Sequence, residues 1–122
     1  MKLLLTISAL VEGATGLSLA IVPSFIVYIL LGSSLIDPTA ILISRLAGAA
    51  LITIAIACWL SVNEGQHAIM IKAMLCYNIF STVILVYAVL VEKLSGPALW
   101  PAVIVHLGLL VWCVRSMNRK TV

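Results

Sequence analysis

From Pro38 to Leu60 the chain reads PTAILISRLAGAALITIAIACWL, a run in which Arg45 is the sole charged residue. At about 1.5 Å of rise per residue this stretch covers the roughly 30 Å hydrocarbon core of a bilayer. Lipid offers no hydrogen bonds to the backbone, so such a run must be helical. Asp37 precedes Pro38, an arrangement that caps a helix whose first turn accepts proline, and Trp59 sits at the far end, where an interfacial aromatic belongs.

Three further runs repeat this logic. The first extends over residues 3–22 and stops at Pro23, whose ring removes a backbone donor. The others cover 68–91 and 97–114. Between the first two spans, 24–32 is apolar but about nine residues long, too short to cross, and is expected to lie at the interface. Glu12 breaks the apolar run that a signal peptide would need, so the first span reads as a permanent helix. Of 122 residues, 64% are hydrophobic and 9% charged, with a mean hydropathy of +1.28, far from the balance of a soluble domain. The expected fold is all-α: a polytopic membrane protein of one domain, 1–122, with four transmembrane helices in an antiparallel bundle and a short interfacial helix between the first two. Any chemistry would lie within or at the bilayer.

Basic residues orient the bundle. Lys2, Lys72, Arg115, Arg119 and Lys120 fall on the side of both termini, whereas Lys93 stands opposite beside Asp37 and Glu92. Positive-inside bias puts both termini in the cytoplasm. The formal charge of +3 is largely this topology signal. It is too small to argue for nucleic acid and sufficient for weak contact with anionic lipid.

Each span carries one strongly polar residue: Glu12, Arg45, Asn78 and His106. Counted from the span ends, these lie about 15, 10, 20 and 13 Å below the far boundary, so a shared polar centre is expected. Glu12 and Arg45 come within reach of a salt bridge, and a buried charge without a partner costs several kcal/mol. Ser8 and Thr15 share the stripe of Glu12, Ser44 flanks Arg45, and Ser81 shares the face of Asn78. Tyr77 can contact a ring-shaped ligand. The pairs Ala9/Gly13 and Ser44/Gly48 fit close helix packing.

His106 can ligate haem iron, hydrogen-bond a quinone carbonyl or relay a proton. Its plainer role is a neutral imidazole bonded to Glu12, Asn78 or a carbonyl. Cys58, Cys76 and Cys113 have neither CxxC nor metal spacing and read as small hydrophobes. No metal site and no catalytic residue is expected, since phosphate loops, HExxH and nucleophile elbows are missing. No cofactor is required, with quinone or haem as the candidates at His106.

The runs Ser44–Ala50 (SRLAGAA), Cys58-Trp59-Leu60, Tyr77-Asn78 and Gly96–Ala102 (GPALWPA), followed by His106, resemble small bacterial four-helix membrane proteins of no secure function. More distantly, Arg45-x-x-Gly48 is similar to the DoxX-like families. That resemblance implies a four-helix bundle in the bacterial cytoplasmic membrane with links to quinone or thiol redox chemistry. Three functions follow as expectations. The chain is a non-catalytic accessory subunit that stabilises a larger membrane complex or self-associates; or a binding or redox module in which Arg45 and His106 hold a quinone-like or anionic lipophilic ligand; or a transporter or proton-pathway component.

Overall fold

The computed structural model describes residues 1–118, so Arg119 and Lys120 of the basic tail lie outside the described residues. It is all-helical: α1 is Lys2–Ile21, α2 Pro23–Leu31, α3 Pro38–Glu64, α4 His67–Leu90 and α5 Leu99–Asn118. α1, α3, α4 and α5 are each long and apolar enough to cross a membrane, and α2 is the short helix expected after the first span. Large apolar side chains such as Leu3, Ile69 and Phe80 are exposed around the outside, as lipid-facing residues must be.

Local chemistry sets the boundaries. Asp37 caps α3 as expected, its carboxylate accepting from the Ala40 amide at 2.8 Å. α3 then continues four residues beyond Leu60, because polar Ser61, Asn63 and Glu64 do not stop a helix in water. Gly65 does, in a left-handed conformation at φ 78°. α5 starts at Leu99 instead of Pro97, after a turn closed by the Leu99 amide on the Gly96 carbonyl, with Pro101 in its first turn.

α1 packs extensively on α3 and α4 on α5, while contacts between the two pairs are few. The α1–α3 pairing is set by backbone. A Cβ added to Gly16 would fall 2.7 Å from the Gly48 carbonyl oxygen, and one on Gly48 would fall 2.7 Å from that of Gly16. Lower down, a Cβ on Gly13 would meet Cβ of Ala55 at 3.4 Å, so the two helices are antiparallel. The sequence pair Ser44/Gly48 thus contributes its glycine, but the tightest partner on α1 is Gly16 beside Ala20.

The dry core fills the end that holds the termini, where Leu4, Leu5, Cys58, Ile71, Met74 and Cys113 are buried together. At the opposite end α2 is tied to the α4–α5 connection. The Ala98 amide donates to the Ile29 carbonyl at 3.0 Å and the Ser95 amide to that of Leu31 at 3.3 Å, so carbonyls left over at the end of α2 find donors. Gly96 fits against the Leu30 backbone so closely that no side chain could replace its hydrogen.

Gly16→Ala should destabilise the bundle by about 1–3 kcal/mol, because a methyl would meet backbone that cannot yield. Gly108, which faces open space, should accept alanine with an unchanged or higher melting temperature. Thermal denaturation of both variants in one detergent checks the contrast.

Candidate functional site

The polar side chains gather at the boundary between the dry core and a cleft that occupies the other half of the bundle. Glu12, midway along α1, is buried, and its Oε2 accepts a hydrogen bond from the Tyr77 hydroxyl of α4 at 2.9 Å. Its Oε1 is buried without a partner. Asn78, next along α4, is fully buried; its amide nitrogen donates to the Met74 carbonyl at 2.7 Å, and its oxygen lies 2.9 Å from Nδ1 of His106 on α5.

Those two Asn78 bonds determine the histidine. The amide nitrogen must face Met74, since two oxygens would repel. The oxygen facing His106 can only accept, so Nδ1 carries the hydrogen and Nε2 of the neutral ring is left with a lone pair. The rings of Tyr77 and His106 meet edge-to-face, with centroids 5.6 Å apart. Glu12–Tyr77 and His106–Asn78 therefore join into one constellation spanning α1, α4 and α5.

Above it opens a cleft of about 360 Å³ to which all five helices contribute. Its polar lining is Glu12, Thr15, Tyr77, Ser81 and His106, and its remaining walls are apolar. Ile26 and Leu30 of α2 close one end. Ile84 and Val105 line the cleft and are also exposed on the outer surface, so its mouth faces the bilayer. The volume falls within the range usual for small-molecule sites.

Three of the four expected polar residues converge here; Arg45 does not. It is exposed on α3 and forms no ion pair among the described residues. The expected Glu12–Arg45 salt bridge is therefore replaced by Glu12–Tyr77. Register is the reason. With Gly13 against Ala55 and Gly16 against Gly48, Glu12 lies level with the Ala55 region, ten residues or about 15 Å along α3 from Arg45. Counting depth from span ends missed this offset because the ends of α1 and α3 are not level: Gly48 packs against Gly16 and Ala20, so the first turns of α3 extend beyond the end of α1.

The accessory residues divide as well. Tyr77 and Ser81 are in the cleft wall and Thr15 lines its mouth, whereas Ser8 is buried one turn from Glu12 with an unpartnered hydroxyl. Ser44 returns its hydroxyl to the Ala40 carbonyl of its own helix at 2.9 Å, away from the site. Ile26 and Leu30 escaped sequence reasoning because the segment reads only as a short interfacial helix. Their i, i+4 spacing was the available signal. Among the described residues no group of three or more His, Cys, Asp or Glu could hold a metal ion.

Nitrogen-15 NMR of the His106 ring in bilayers should show Nδ1 protonated and Nε2 bare. Asn78→Leu should abolish that preference and give a mixture of tautomers. A bare Nδ1 in the unaltered protein would contradict the assigned bond.

Comparison of the chain with known protein families, with curated proteins and with solved structures gives no match, so the functional reading rests on this geometry.

Proposed function

We propose that the chain is a membrane-embedded binding module whose cleft takes a neutral, ring-bearing amphiphile of the quinone type, entering from the bilayer. The observation that carries this reading is the buried, unpartnered Oε1 of Glu12 beside a cleft of ligand size. A buried carboxyl oxygen without a partner is costly, and a polar oxygen of a ligand would satisfy it. Nε2 of His106 offers a lone pair in the same wall. Two such groups suit a ligand with polar oxygens at opposite edges of a ring.

The anionic alternative is disfavoured, because Arg45 is remote and no lysine or arginine among the described residues lines the cleft. Lateral access suits a lipophilic ligand, whose tail would remain between Ile84, Val105 and the lipid. In this reading the protein lies with both termini in the cytoplasm. Lys2, Lys72 and Arg115 at that end support the orientation. The cleft then opens in the half of the membrane away from the cytoplasm.

Protein solubilised gently at natural abundance, then extracted and examined by mass spectrometry and absorption, should yield a quinone-type compound near one per chain. Glu12→Leu and His106→Leu should each lower its retention roughly five- to tenfold, the worth of one hydrogen bond. Ligand-free protein, a haem spectrum, or undiminished retention in both variants would overturn the proposal. Co-release with much larger subunits and an empty cleft would return the accessory-subunit reading in its place.

A further inference from the structure

The short helix α2 is a separate unit set between two bends. It follows a break at Val22, whose backbone leaves the helical region at φ −125° and ψ 57°, and it ends at Gly32 in a left-handed conformation at φ 71°. Of its nine residues Pro23 alone is buried, while Phe25 and Tyr28 are exposed. Side-chain packing therefore does little to fix its position. Its chief ties to the rest of the bundle are the two backbone hydrogen bonds from the α4–α5 connection, Ala98 to Ile29 and Ser95 to Leu31, with Gly96 seated against the Leu30 backbone.

That position matters because Ile26 and Leu30, one turn apart on α2, close the surface end of the cleft. Beneath them the polar lining rises in steps. Thr15 is three residues beyond Glu12 on α1 and Ser81 four beyond Tyr77 on α4, so each helix carries a second polar group about 5 Å nearer to α2. Below Glu12 the bundle is dry: apart from the Ser8 hydroxyl, buried Leu4, Leu5, Ile71 and Met74 fill that half. The lateral mouth faces lipid. Among the described residues, the end under α2 is thus the one route by which water reaches the cleft floor.

We infer that α2 is a hinged lid over the surface end of the cleft, latched by its backbone to the α4–α5 connection, and that its lifting admits water to Glu12 and His106 from the face opposite the termini and from that face alone. The latch is suited to release. The Ile29 and Leu31 carbonyls belong to the last turn of α2, and at the membrane surface water replaces the two amides that leave them, so opening exchanges hydrogen bonds without stranding any. Ile26 and Leu30 swing out together, because both bends flank the segment that carries them. Such a site exchanges protons with one side of the membrane, while its lateral mouth serves a lipophilic ligand. The inference rests on the cleft of the proposed binding module and on none of its ligand chemistry, so each can fail without the other.

The test reads access to the cleft in the full chain, in sealed vesicles. Ser81→Cys, combined with Cys76→Ala to remove the exposed native thiol, should react with a charged, membrane-impermeant methanethiosulfonate added on the face opposite the termini and not with the same reagent on the termini face. Gly96→Ala drives a methyl into the Leu30 backbone and lifts α2 from its latch, so that reaction should run roughly tenfold faster, the worth of about one hydrogen bond. Ile26→Ala with Leu30→Ala thins the lid, leaves the latch intact and should also speed it. In the unaltered protein, hydrogen–deuterium exchange should reach the interior amides of α2 well before those of α1, a readout that needs no variant to fold. Reaction from the termini face or from neither face, a rate unmoved in both lid variants, or α2 amides protected as long as those of α1 would overturn the inference.

Discussion

The contact on which the arrangement depends is the backbone crossing of Gly16 and Gly48. Lipid tails are as apolar as leucine, so membrane helices gain little from hiding hydrophobic surface and associate where close packing is possible. Two glycines facing each other remove the side chains that would hold α1 and α3 apart, and each carbonyl occupies the place a methyl would take on the other helix. That crossing fixes register. One step away it opposes Gly13 to Ala55, which leaves Arg45 about 15 Å along α3 from the level of Glu12.

Once register is set, burial chooses the partners. A carboxyl group taken out of water needs donors, and the nearest is the phenol of Tyr77. Asn78, one residue on, faces α5 and positions His106 through an amide whose two ends are committed to different neighbours. The polar groups thus form two linked pairs across three helices. The termini half of the bundle closes over them with apolar side chains, and the far half stays open because α2 turns aside at Pro23 and covers the space with only Ile26 and Leu30. The result is a cleft with polar groups at its floor, apolar walls and a mouth toward lipid.

The helices were legible in the sequence because hydropathy over twenty residues and caps such as Asp37 are local signals. Membership of Glu12, Asn78 and His106 in one centre was legible for a related reason: ionisable and amide groups in mid-span must find one another. The pairing was not legible. It depends on which small residues meet, and α1 offers Ala9, Gly13, Gly16 and Ala20 as candidates with nothing local to rank them. Glu12 and Arg45 are about 15 Å, or nearly three turns, out of register, an offset set by which small residues meet. The space beside the polar centre was equally hidden, since a cleft is defined by residues that are missing from it.

The central claim, that Glu12 belongs to Tyr77 and not to Arg45, is open to one direct measurement. Two double-mutant cycles on folding stability in bilayers, Glu12→Leu with Tyr77→Phe and Glu12→Leu with Arg45→Gln, isolate each pairwise energy. The account predicts a coupling of about 1 kcal/mol or more for Glu12 with Tyr77 and none beyond error for Glu12 with Arg45. Coupling to Arg45 without coupling to Tyr77 would contradict it.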